Sequence, residues 1–311
     1  MNTESADPLF NRVALIGLGL IGSSLGYAMK RANLAGTITG ASRTAETRKA
    51  AKDLGFVDEI YETNKEAVHD ADLVIVCVPV GICGAVTEEI APALKPGSIL
   101  TDVASTKVSV VRDMLPHVPD GVHLIPGHPV AGSERSGPSA GYAELFDERW
   151  CILTPLENSD EAKVEKLEAF WRGCGSYVER MDVEHHDMVL AIVSHLPHLI
   201  AYSIVMTASH LEEVTESEVI KFSAGGFRDF TRIAASDPTM WRDVFVSNKG
   251  AVLEMLGRFS EDLAALQKAI RHEDGEMLFD LFTKSRDIRR GIVEAGQDTA
   301  EPNFGRIVTS E

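Results

Sequence analysis

Among the residues able to do acid–base chemistry, His128 stands on the most constrained backbone. It lies in Gly127-His128-Pro129-Val130-Ala131-Gly132-Ser133-Glu134, directly after a short apolar run at 122–126. Glycine and proline at its sides exclude ordinary helix and the middle of a sheet, so the segment reads as a loop at a strand end. Such loops are where α/β proteins place reactive groups, and imidazole exchanges a proton near neutral pH. The alternative is a loop histidine making an ordinary hydrogen bond.

A second constellation is Ser194-His195-Leu196-Pro197-His198. The two histidines are three apart on one predicted helix, which Pro197 bends by removing a backbone bond. No Cys, Asp or Glu completes a metal-ligand set, so no metal is expected. Two readings stay open: core histidines bonded to carbonyls, or a bent helix aiming His198 into a cleft. Arg228 and Arg232 follow the Gly225-Gly226 pair. An arginine fork suits a carboxylate, and the plainer reading is pairing with Asp229 or Asp243.

These groups need a frame, and Gly17-Leu18-Gly19-Leu20-Ile21-Gly22 indicates which. It follows the apolar run 13–16 and opens a helix. The first glycine permits the tight turn, the second lets backbone approach a pyrophosphate, and the third lets helix pack on strand. The segment therefore predicts a dinucleotide site with Gly17, Gly19, Leu20, Ile21 and Gly22 around the phosphates. Val78 and Pro79, at the end of the unbroken apolar run 73–78, are expected to line it as well. NAD sites place Asp or Glu after the second strand. This chain has Ser42 and Arg43 there, with Glu46 a turn too late, which favours NADP over NAD.

Strand-like runs at 13–16, 37–41, 73–78, 98–102, 122–125, 150–154 and 176–180 alternate with helical patterns, which predicts a Rossmann-type doubly wound sheet over residues 1–181. Beyond 181 the strand signals stop, and residues 182–311 read as an all-helical domain. Its helices are predicted at 183–208, 216–222, 238–256 onward and 274–294, too apolar for one small domain to bury and therefore expected to dimerise. The 311 residues carry a net charge of −17, which argues against nucleic acid and anionic membrane as partners but not against a small anionic substrate. The apolar stretch 188–206 contains Ser194, His195 and His198, so it is expected to be a buried helix and not a membrane span. Four cysteines without metal or CxxC spacing, and an N-terminus without a signal-peptide core, fit reduced thiols in a cytoplasmic protein.

Taken together, these motifs resemble the prephenate/arogenate dehydrogenase family of tyrosine biosynthesis. The segments that carry the resemblance run in family order: 17–24, Asp102-Val103-Ala104-Ser105-Thr106-Lys107, 127–134, 194–198, 226–234 and Asp237-Pro238-Thr239-Met240-Trp241. The resemblance implies oxidative decarboxylation of a cyclohexadienol with hydride transfer to NAD(P). It implies His128 as catalytic base and Ser105 as the partner bonding the hydroxyl or the imidazole. His198 and Arg232 are implied to contact the substrate, Ser133 and Glu134 to line its pocket, and Trp241 to reach the neighbouring subunit's site. Arg228 aligns with a basic position. The Ser42-Arg43 pair departs from relatives that carry an acid, and neither a chorismate mutase nor an ACT fusion is expected. Two competitors are a β-hydroxyacid dehydrogenase, for which no catalytic-lysine segment is found after Met181, and a non-catalytic dinucleotide sensor.

Overall fold

Four successive residues of the first strand, Val13, Ala14, Leu15 and Ile16, are buried, as a strand covered on both faces must be. In the computed structural model, which describes residues 7–133, 135–215 and 225–294, this strand is β1 (Phe10–Ile16). It joins β2 (Ala35–Ala41), β3 (Glu59–Tyr61), β4 (Leu73–Val76), β5 (Ile99–Asp102) and β6 (His123–Leu124) in one parallel sheet of order β3-β2-β1-β4-β5-β6. The strand order reverses between β1 and β4, which opens a crevice at the C-terminal ends of these strands.

Period-two alternation divides the core between the faces. Val13, Leu15, Ile38, Leu73 and Ile75 pack with Leu25, Met29, Phe170 and Trp171 on one side. Ala14, Ile16, Val74, Val76 and Leu100 pack with Val68, Ile90, Val110 and Met114 on the other. The covering helices are α1 (Leu20–Ala32), α2 (Ala45–Leu54), α3 (Asn64–Val68), α4 (Cys83–Ile90), α5 (Val108–Met114) and α6 (Glu161–Gly173).

Two expectations are corrected here. The segment around His128 is a strand, β7 (Gly127–Pro129), not a loop. It pairs antiparallel with β8 (Trp150–Leu153), which pairs in parallel with β9 (Tyr177–Arg180). The last strands therefore form a separate three-stranded sheet and do not extend the large one. Pro129 is tolerated because β7 is an edge strand, where a missing N–H breaks no ladder.

The remaining chain is helical: α7 (Val183–Leu190), one π turn (Ala191–His195), α8 (Leu196–Thr215), α9 (Gly225–Thr231), α10 (Pro238–Ser247), α11 (Lys249–Arg271) and α12 (Gly275–Glu294). The helix read at 216–222 lies outside the described residues. The chain divides into two compact units. Residues up to Leu199 together with Ile233–Val252 form the first, while Ile200–Arg232 and the residues from Leu253 on form the second. The apolar helix over Val183–His210 is long and apolar enough to cross a membrane by length and composition. It is less buried than expected: Ile192, Val193 and Met206 are each more than half exposed on the single chain. The four cysteines are free thiols, three buried and Cys77 half-buried.

Candidate active site

The glycine turn after β1 has the shape its spacing predicts. Gly17 has φ +99°, and a Cβ there would stand 2.4 Å from the Cys77 carbonyl oxygen. A Cβ on Gly22 would stand 2.2 Å from the Gly17 carbonyl oxygen. At Gly19 nothing lies within 4 Å, so the space a side chain would fill is open to a ligand. Gly19 is also the N-cap of α1 and offers no side-chain cap, so the first amides of that helix are left for an anion. Leu20 and Ile21 form the first turn, and Val78 and Pro79 follow β4 beside Gly17, whose Cβ position is 3.1 Å from Val78 Cγ1. This donor set and open cradle fit a dinucleotide pyrophosphate. After β2, Ser42 is half-buried and Arg43 exposed. Arg48 Nη1 donates to both of their carbonyls, at 2.9 and 3.1 Å, and fixes the turn.

The segment bearing His128 lies at the C-terminal end of the same parallel sheet, because Gly127 N–H donates to Asp102 Oδ1 (3.2 Å) at the end of β5. His128 itself is 6% exposed. His128 Nδ1 lies 2.9 Å from His186 Nε2, and His186 Nδ1 lies 2.8 Å from Asp187 Oδ1. Asp187 also accepts from the backbone amides of Lys107 (Oδ1, 2.7 Å) and Val108 (Oδ2, 3.0 Å), so a carboxylate of α7 caps α5. Burial lowers the His128 pKa well below the usual imidazole value, and the nearby His186, Lys107 and His195 act in the same direction. Burial also lowers that of His186, against the opposing effect of Asp187.

A wholly buried ion pair supports the same corner. Lys107 Nζ donates to Asp102 Oδ2 (2.5 Å) and to the Gly127 carbonyl (2.6 Å), while Asp102 Oδ2 accepts from Ala104 N–H (2.8 Å). The pair thus ties the Ala104-Ser105 turn to the strand bearing His128. Ser105 is half-buried in that turn, and its hydroxyl is not hydrogen-bonded to His128.

The π turn brings in His195, whose Nδ1 lies 3.1 Å from Asn248 Nδ2. That amide also donates to the Asp187 carbonyl (2.8 Å). Burial pushes the His195 pKa down to about 4. Its Nε2 is sealed from solvent with no well-formed hydrogen bond, and the Ser105 backbone is a weaker polar neighbour of the same ring. His198 donates through Nδ1 to the Ser194 carbonyl (2.8 Å) and stacks on Trp241 with ring centroids 3.6 Å apart. Trp241 is 7% exposed within the single chain, and its indole N–H is unpartnered there.

The arginines divide. Arg228 pairs with its neighbour Asp229 at 3.4 Å, the plainer of the two readings. Arg232 opens a 3-10 turn, Arg232–Ala235, in the second unit. Ser133 is exposed, and its Oγ accepts from Arg135 N–H. Glu134 lies outside the described residues. Sequence reasoning assigned no role to His186, Asp187, Asn248, Asp102 or Lys107. A signal existed for one pair: adjacent His186 and Asp187 in an apolar helix must be satisfied somewhere inside. The partner was 58 residues away in sequence and so could not be read.

Known proteins resemble the chain over most of its length. Residues 25–180 match the family described as prephenate dehydrogenase, nucleotide-binding domain, and residues 182–284 match prephenate dehydrogenase, dimerization domain. Cyclohexadienyl dehydrogenase of Zymomonas mobilis is 40% identical over 91% of this chain and 97% of its own length. Prephenate dehydrogenase of Bacillus subtilis is 36% identical over 90% of this chain and 76% of its own. Among solved structures, prephenate dehydrogenase from Aquifex aeolicus in complex with hydroxyphenyl propionate and NAD+ superposes with a TM-score of 0.84 at 31% identity. That match covers 94% of this chain and all of the other. Synechocystis arogenate dehydrogenase gives 0.75 at 25% identity, covering 90% and 99%.

Proposed function

The chain belongs to the prephenate dehydrogenase family, and on that footing we infer that it oxidatively decarboxylates prephenate, arogenate or both with NAD(P), in tyrosine biosynthesis. The observation that carries the reading is His128: buried, its pKa lowered by that burial, and on a strand tied to the end of β5.

The substrate is a cyclohexadienol with a carboxylate on the ring carbon opposite the carbinol. Bound in the cradle, the oxidised nicotinamide supplies an acceptor for the hydride that leaves the carbinol carbon. His128 Nε2, which has no hydrogen-bond partner among the described residues, takes the hydroxyl proton as the carbon–oxygen bond becomes a carbonyl. The ring–carboxylate bond then breaks, its electron pair enters the ring, and carbon dioxide departs. The ring is now a phenolate, and the proton held by His128 returns to its oxygen. No net proton is released, so a base shut away from water is sufficient. Aromatisation drives the sequence, and the protein's part is mostly positioning.

His198 and Arg232 are assigned to the substrate's polar groups, Ser105 to its hydroxyl, and Ser133 with Glu134 to the pocket's lip. Trp241 acts through the stacked face of His198. Arg228 keeps a lesser part, since Asp229 already engages it. NADP is favoured over NAD: Arg43 is exposed after β2, Ser42 stands beside it, and Arg48 holds both in place. A homodimer through the helical region and a cytoplasmic location complete the reading.

The test is a set of initial-rate titrations of prephenate and of arogenate, each with NAD and with NADP. Turnover of at least one substrate to a 4-hydroxyphenyl product is expected. Absence of turnover with all four combinations would remove the reading.

A further inference from the structure

We propose that His186 and Asp187 form a relay that fixes the tautomer of His128, leaving the lone pair on Nε2 and the proton on Nδ1. The inference deepens the assignment of His128 as base and rests on it. It starts at the far end of the chain of contacts.

Asp187 accepts two backbone N–H bonds, one on each oxygen, which is the only role open to an ionised carboxylate. His186 Nδ1, 2.8 Å from Oδ1, must therefore be the proton-bearing nitrogen. A neutral imidazole has one donor and one acceptor nitrogen, so His186 Nε2 is an acceptor. It faces His128 Nδ1 at 2.9 Å, and a bond between them requires the proton on His128 Nδ1. His128 Nε2 is then bare. Two inputs suffice: an acceptor carboxylate on Asp187, which two amides engage, and neutrality of both rings. Burial provides that for each.

The surroundings reinforce the same state. The charged and titratable groups around the two rings are Lys107, Asp102, His195 and Asp187, with the Cys151 thiol buried nearby. Lys107 disfavours a proton on either ring, and its own charge is taken up by Asp102. Lys107 also grips both ends of the relay: its backbone N–H binds Asp187, and its ammonium binds the carbonyl of Gly127, next to His128. The orientation of the base is thus set by one residue touching its strand and its last partner. When His128 takes the substrate proton, the imidazolium donates to His186 and stays put until the proton returns. His186 and Asp187 are positioning residues, since neither is required to touch substrate.

The direct test reads the tautomer without a variant. Long-range 1H–15N spectra of 15N-histidine-labelled holoprotein near pH 7.5 should show His128, identified by the resonances lost in His128→Asn, protonated on Nδ1. A proton on Nε2 would overturn the proposal. Two substitutions extend the test. His186→Met removes the acceptor and should move the His128 proton to Nε2. It should also lower kcat by roughly 10²- to 10⁴-fold with dinucleotide affinity unchanged. His186→Gln offers Oε1 to the Nδ1 proton and should recover most of that loss. Equal kcat in the Met and Gln variants would also overturn it. Full activity of His128→Asn would count against His128 as base while leaving the tautomer result standing, so the two failures can be told apart.

Discussion

In its proposed role as base, His128 is useful only while neutral, and its surroundings favour that state. Burial and the nearby His186, Lys107 and His195 all lower its pKa from 6.5. Lowering the pH from 8 to 6.5 should therefore leave kcat/KM flat where the free enzyme's base is concerned. The acid limb belongs below 6.5, and a limb centred above 7 would show that another group controls the rate. Removal of the base, in His128→Asn, should reduce kcat by about 10²- to 10⁴-fold while dinucleotide binding, followed by nucleotide fluorescence, stays as in the parent. Unimpaired turnover would rule His128 out. Arg43, exposed after β2, bears on the proposed preference for NADP. Arg43→Ala should raise KM for NADP more than for NAD, and equal changes would remove the argument from that side chain.

At the scale of elements, the site depends on a few joints between segments that are distant in sequence. The Lys107–Asp102 pair, with both side chains fully buried, ties the turn after β5 to β7. Lys107→Met would leave a buried carboxylate uncompensated, and a loss of roughly 3–5 kcal/mol in unfolding free energy is expected from denaturant melts. A variant as stable as the parent would mean that the pair contributes little. The turn after β1 is another such joint. Gly17 combines φ +99° with a Cβ position 2.4 Å from backbone, so Gly17→Ala should distort the cradle and abolish tight dinucleotide binding. The π turn at Ala191–His195 is a third joint, setting His195 toward Asn248 and His198 against Trp241.

For the molecule as a whole, the buried histidines make stability depend on pH. His128, His186 and His195 all have folded-state pKa values below 6.5, so the unfolded chain binds more protons at acid pH. Their contribution is complete above about 6.5 and is lost as pH falls through the folded values, about 4 for His195. Thermal midpoints should hold between pH 8 and 7 and decline from 6.5 toward 4, and a midpoint unchanged at pH 5 would contradict this. The helices of the second unit carry exposed Ile270, Phe279, Phe282 and Ile288, and the matching family segment is a dimerization domain. Sedimentation should find a dimer, and Phe279→Asp with Phe282→Asp should weaken it. By itself the sequence determined the glycine turn, the strand and helix alternation and the helical second half, and it singled out His128 as a candidate. Each is written locally, in residue spacing and hydrophobic period. Tertiary structure decided that the His128 segment is an edge strand of a second sheet, that Trp241 stacks on His198, and that Lys107 binds both Asp187 and the Gly127 carbonyl. These depend on contacts between groups up to 80 residues apart, and a sequence lists such groups without stating which of them meet.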